Sequence, residues 1–264
     1  MVFEDVTAAQ RRIDCVLVAG GKWHDIDFAR LELLKLLSED DFVRVRVFED
    51  YENIVAIEAA DILVSYTCDV IPSLDVQERL RAWVAGGRRW MALHGCNSVL
   101  RFLDTGKVGA PDWAPHFMET LGTAFVAHPP VGPFEVTITA PDHPLVAGIE
   151  PFTPQDDELY LSRPTADVET LLHVDFAGHA PAFEIEHWQQ DRHPLMYLRS
   201  LGEGAVLYNA LGHCRGHLDM QPKVAWFPTV QRGAWRCPEY YELLRRGIAW
   251  TKEPLATGAV NDAA

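Results

Sequence analysis

The sequence predicts an α/β protein built on a doubly wound, mostly parallel sheet. Three observations carry that expectation. From Ile13 to Leu93, short β-rich runs alternate with segments of helical spacing, joined by connections short enough for right-handed crossovers. Strand-like runs stop at glycine turns, at Gly20-Gly21 and at His94-Gly95, as chain leaving the carboxyl edge of a sheet does. Hydrophobic residues make up 48% of 264 residues, enough for one large core.

The elements follow in order. Ile13 to Ala19 is a short apolar strand closed by Gly20-Gly21. Phe28 to Leu37 fits a helix, with Phe28, Leu31, Leu34 and Leu37 on one face. Phe42 to Phe48 alternates Val43, Val45 and Val47 with Arg44 and Arg46, a half-buried strand. Asp61 to Tyr66 is an apolar strand. Pro72 to Ala85 is a helix, with Leu74, Val76, Leu80 and Val84 as inward residues, ended by Gly86-Gly87. Trp90 to Leu93 is the fourth strand, stopping on His94. From about Leu100 to Pro130 the Gly, Pro and aromatic content rises, which reads as an inserted loop-and-helix region over one end of the sheet. Pro133 to Thr139 and Val168 to Val174 read as strands. Leu195 to Arg199 and Ala205 to Asn209 flank Gly202-Glu203-Gly204 as a hairpin-like, antiparallel extension. Pro238 to Thr251 closes the chain as an amphipathic helix, with Tyr241, Leu244 and Ile248 on one face. The expected organisation is one domain over residues 1–264, with its core at about 13–251 and a flexible tail at 254–264.

Composition narrows the functions. Net charge is −15, from 23 basic and 38 acidic residues, which disfavours a polyphosphate partner. No apolar run approaches the ~20 residues that span a bilayer. Met1-Val2-Phe3-Glu4-Asp5 lacks the basic start and apolar centre of a secretory signal. A cytoplasmic protein with neither a membrane nor a nucleic-acid partner is expected. A homo-oligomer stays open. Five cysteines, without CxxC spacing, argue against a disulfide framework and against a thiolate zinc site.

Four places can carry chemistry, each at a strand end or in a loop: Gly20 to Asp25, Trp90 to Cys96, Asp156 to Tyr160, and Asn209 to His213. A single histidine in such a place is most often a hydrogen-bonded structural residue. Three at strand carboxyl ends, with a carboxylate, form a donor set that suits a divalent metal: His24, His94, His213 and Glu158. Zinc is the first choice, with manganese or iron as alternatives. His94, Glu158 and His213 are also the catalytic candidates. No His-x-x-x-His helix covers the set, because Gly212 and Gly216 break the His213/His217 spacing. Cys96, two residues beyond His94, offers a competing nucleophile. Gly20-Gly21 reads as a tight turn rather than a phosphate cradle. Trp23 and Tyr160 can stack on a sugar ring.

The ordered series Gly20-Gly21-x-x-His24, Ala92-Leu93-His94-Gly95, Phe125-x-x-His128-Pro129, Asp142-His143-Pro144-Leu145, Asp157-Glu158-Leu159-Tyr160, Gly202-x-Gly204 and Leu211-Gly212-His213 resembles the trehalose-utilisation (ThuA-like) family. The resemblance runs from about Ile13 to Thr251. It implies a flavodoxin-like α/β fold of the class I glutamine-amidotransferase-like kind. In amidotransferase relatives a cysteine nucleophile stands at the elbow and a histidine follows a later strand. Here His94 stands at the elbow and His213 matches the later histidine, so metal or acid–base chemistry is expected over glutaminase chemistry. The resemblance also implies carbohydrate catabolism, with Trp23, His128, Asp157 and Tyr160 as substrate-binding residues. The expected function is a metal-dependent enzyme acting on a disaccharide, a glycoside or its 3-keto derivative, by hydrolysis, elimination or isomerisation. The alternatives are a Cys-dependent hydrolase and a non-catalytic sugar-binding protein.

Overall fold

The computed structural model describes residues 11–256. The segment Met1 to Asp5 and most of the expected tail lie outside the described residues.

Four strands build the first half of the sheet: β1 (Ile13–Gly21), β2 (Val43–Phe48), β3 (Ile62–Cys68) and β4 (Arg89–Leu93). All are parallel, and a fifth parallel strand from the second half, β12 (Gly204–Asn209), lies beside β4. The order β2-β1-β3-β4-β12 is the 2-1-3-4-5 arrangement of flavodoxin-like sheets. Residue chemistry explains the positions. β3 is buried throughout (ILVSYTC), as a central strand covered on both faces must be. β2 keeps its alternating Val/Arg pattern because it is the edge, where polar side chains reach water.

Helices α1 (Ile26–Leu37) and α5 (Pro238–Ala256) pack on one face of the sheet. Helices α2 (Ile54–Glu58), α3 (Leu74–Ala85) and α4 (Pro115–Leu121) occupy the other. The inward face of α1 differs from the sequence expectation. Ala29, Leu33, Leu36 and Leu37 are buried, while Leu31 is 53% exposed. In α3, Val76, Leu80 and Val84 are buried as expected, but Leu74 is 58% exposed at the first turn. α5 continues past the expected end at Thr251 to Ala256 and includes Pro254, so the first residues of the expected tail are helical.

The second half supplies the insert and the antiparallel extension. A small hairpin, β5 (Arg101–Phe102) with β6 (Val108–Gly109), precedes α4, and β7 (Thr123–Ala127) pairs with β9 (Leu161–Pro164). Of the run Pro133 to Thr139, only β8 (Thr137–Ile138) joins the main sheet. Strands β10 (Glu169–His179) and β11 (His187–Leu201) run antiparallel between β8 and β12, completing eight strands. Among the described residues, no helix is long and apolar enough to cross a membrane. The cysteines at 15, 68, 96, 214 and 237 are free.

Candidate metal centre at the carboxyl edge of the sheet

The loops after β1, β4 and β12 meet at the carboxyl edge of the sheet, where open α/β folds place ligands. After β1 the chain turns through Gly21 (φ 102°) and Trp23 (φ 72°), then delivers His24 just ahead of Asp25, the N-cap of α1. The Asp25 carboxylate accepts from the Phe28 N–H at 3.1 Å, fixing the helix start. After β4, His94 itself adopts φ 45° and opens a single 3₁₀ turn. A side chain at Gly95 would put its Cβ 2.5 Å from the Thr67 carbonyl, so only glycine fits beside this elbow. A left-handed backbone at Trp23, at His94 and also at Asp69 (φ 58°), beyond β3, places the strained non-glycine residues around one site.

The loop after β12 is held by an acid that the sequence suggested for another task. Asp157 is fully buried, and its carboxylate accepts from the N–H groups of Glu158 (2.8 Å), Gly212 (3.2 Å), His213 (3.2 Å) and Ala234 (2.6 Å). It therefore clamps the His213 turn and the segment before α5 and does not reach the cleft, which corrects the expectation that Asp157 binds substrate.

His24, His94, Glu158 and His213 converge, with ligand-capable atoms all within 4.8 Å of one another. His24 Nε2 lies 3.0 Å from His94 Nε2 and 3.3 Å from Glu158 Oε2. His94 Nε2 is 3.6 Å from Glu158 Oε2, and His213 Nδ1 is 3.4 Å from Glu158 Oε1. Donors around a tetrahedral zinc at ~2.0–2.2 Å stand roughly 3.3 Å apart, close to the separations among His24 Nε2, His94 Nε2 and Glu158 Oε2, while His213 Nδ1 faces the other carboxylate oxygen.

The far nitrogens define the tautomers. His94 Nδ1 donates to the Ala210 carbonyl at 2.7 Å, and His24 Nδ1 makes a long contact to the Lys22 carbonyl at 3.4 Å. His213 Nε2 donates to Gln231 Oε1 at 2.8 Å. His94 and His213 thus turn a lone pair toward the centre, and His24 Nε2 faces the His94 lone pair at 3.0 Å and the Glu158 carboxylate at 3.3 Å. His213 Nδ1 is buried with no hydrogen-bond partner, an orphan that a cation would satisfy. Burial pushes His24 down to about 3, against the pull of Glu158, so its ring is neutral. Burial alone would raise the Glu158 carboxyl, but His213, His128 and Arg215 together hold it well below the usual carboxylate range.

Sequence reasoning missed two contributors. Arg215 donates from Nη2 to Glu158 Oε1 at 2.7 Å and from Nε to the Trp23 carbonyl at 3.1 Å. Gln231 orients His213 and also accepts from Arg215 Nη1 at 3.4 Å. Reciprocal backbone bonds between Arg215 and Gln231, at 3.0 and 2.8 Å, close the neck of the loop between them.

A narrow cleft opens onto the centre past Trp23, Phe125, His128, Tyr160, Phe183 and Arg215. Tyr160 packs 4.4 Å from His94 and 4.5 Å from Phe125, while Phe183 lies 4.7 Å from His128. Trp23, His128 and Tyr160 thus line the cleft. Cys96 does not. It is buried, with its sulfur 3.2 Å from Ser65 Oγ and 3.4 Å from Thr67 Oγ1, on the core side of the elbow. Cys68, which does line the cleft, is pushed well above the ordinary thiol range by burial and then by Glu158, so it is an inert thiol rather than a nucleophile.

Comparison with known proteins agrees with this architecture. The ThuA-like protein of Parabacteroides merdae superposes with a TM-score of 0.66 at 15% identity, over 96% of this chain and 93% of that one. The ThuA-like protein of Bacteroides uniformis gives 0.63 at 17% identity, over 95% of each chain. A β-galactosidase from Rahnella gives 0.54 at 12% identity, over 93% of this chain but 31% of that one. At these identities the likeness is one of fold. No curated protein matches the sequence. The sequence profile for trehalose utilisation matches residues 16–225. That span takes in all four clustered donors, and the chain belongs to the trehalose-utilisation (ThuA) family.

Proposed function

We propose that the protein is a divalent-metal enzyme acting on a sugar ring or its 3-keto derivative. The observation that supports this best is the buried cluster of three imidazoles and one carboxylate, with His213 Nδ1 left unpartnered. A bound divalent ion, zinc foremost, supplies Lewis acidity toward a carbonyl or hydroxyl oxygen. The chain's residues provide the rest. Glu158 is a poor proton carrier, because Arg215 bonds its Oε1 and its neighbours keep it ionised. His128 is better placed. Its Nδ1 donates to the Pro129 carbonyl at 2.7 Å, leaving the Nε2 lone pair 3.6 Å from Glu158 Oε1 at the cleft wall. Burial lowers its pKa, so the ring is neutral near pH 7 and able to take a proton from carbon alpha to a carbonyl. Trp23, Phe125 and Phe183 offer apolar faces to the C–H side of a ring. The link to carbohydrate comes from the family.

The test pairs elemental analysis with turnover of a p-nitrophenyl 3-keto-glucoside. The purified protein is expected to carry about one equivalent of divalent metal per chain, and Glu158→Gln to lose both metal and activity. His128→Gln is expected to keep the metal while its turnover falls about 10²–10⁴-fold. Full activity in metal-free protein would exclude this reading.

A further inference from the structure

A second group of metal-binding side chains lies outside the cleft. His179 ends β10, His187 begins β11, and the two face each other as a cross-strand pair. Their rings lie 4.6 Å apart between centroids at 74°. Glu186 adjoins them, and the ligand-capable atoms of all three lie within 4.8 Å of one another. Directly opposed residues on antiparallel strands carry Cβ atoms ~4.5–5.5 Å apart, which lets two imidazoles reach one ion with small rotamer changes. Both histidines are exposed, so the adjustment meets no packing. Lys107 bonds Glu186 Oε2 at 2.7 Å, leaving the other carboxylate oxygen available.

The position gives the group a consequence. These three residues form the neck of the loop 180–186, closed by the Ala180 N–H donating to the Glu186 carbonyl at 2.8 Å. The tip of that loop is Phe183, which walls the cleft against His128 and Phe125. The loop is otherwise tied to the rest of the fold through Val108, whose N–H donates to the Ala182 carbonyl (2.8 Å) and whose carbonyl accepts from Glu184 (2.9 Å).

We propose that His179, His187 and Glu186 bind a second divalent ion of the late first row, such as zinc, copper or nickel, and that this ion fastens the neck of the Phe183 loop. Two imidazoles and a carboxylate are the donors such ions prefer. An exposed site with three donors binds more weakly than the buried four-donor centre. The proposal does not rest on the buried centre, and the two can fail separately.

The experiment titrates chelator-stripped protein with Zn²⁺ against a chromophoric indicator, and follows hydrogen exchange across residues 179–187. Wild type is expected to bind two ions, the weaker one slowing exchange at the loop neck. The surface variant His179→Gln/His187→Gln is expected to fold normally, to lose only the weaker ion, and to show no exchange change on adding Zn²⁺. If wild type binds a single ion that this variant loses, the surface site stands and the buried centre does not. Wild type with no weaker ion at millimolar Zn²⁺, or a variant that keeps it, overturns the surface site.

Discussion

His94 bears the largest share of the site's geometry in one residue. Its φ of 45° turns the chain at the elbow, its Nδ1 is anchored on Ala210, and its carbonyl accepts from the Tyr208 hydroxyl. A β-region backbone would carry the ring away from His24. The orienting groups set how well such a ligand performs, and Gln231 is the clearest case because it alone fixes the His213 tautomer from a side chain. Gln231→Leu is expected to weaken Zn²⁺ binding about 10–100-fold, measured by competition with an indicator, with little change in the fold. How legible these residues were depends on what each one touches. His24, His94 and His213 could be read from the sequence because each follows an apolar run that ends beside glycine. Gln231 and Arg215 could not, since their roles come from a loop returning on itself, and no periodicity marks where a loop returns. The family resemblance puts Asp157 at the substrate. Its partners are four backbone amides, and amides carry no residue type for a sequence to display.

At the scale of elements, the parallel strands were the most legible, since β3 and β4 are short, continuous apolar runs. The facing of α1 was not. Both the Phe28/Leu31/Leu34/Leu37 stripe and the Ala29/Leu33/Leu36/Leu37 stripe satisfy helical spacing, and the second buries because Ala29 allows a close approach to the sheet. The run from Pro133 to Thr139 alternates like a strand, yet it bonds its neighbours only at Val136, across β8 and at Thr139, whose N–H donates to the Leu171 carbonyl. The β10–β11 pair carries a titration of its own. His193 is buried beside Trp188 and Phe176, its Nε2 has no hydrogen-bond partner, and burial lowers its pKa; His173 is lowered in the same way. The unfolded chain therefore binds protons that the folded one refuses. Their stability contribution is complete above the unfolded value near 6.5 and declines as pH falls through it. Urea midpoints measured from pH 7.5 to 5 are expected to fall, and His193→Phe is expected to flatten part of that decline.

At the scale of the molecule, five parallel strands make the floor of the site and three antiparallel strands extend it. Residues 24, 94, 158 and 213 belong to segments far apart in the chain, joined only when the sheet is complete. His94 and His213 are fully buried, and Glu158 and His24 nearly so. An ion held there would join four distant chain segments and meet solvent only through the cleft. Its escape is then a matter of time rather than of affinity. A multidentate chelator too wide for the cleft cannot wrap the ion in place, so release to it would wait for the protein to open. The rate of zinc loss is expected to stop rising once chelator is in excess, and to climb with temperature or dilute urea as opening does. A rate that stays proportional to chelator concentration would mean the ion is reached through the cleft itself.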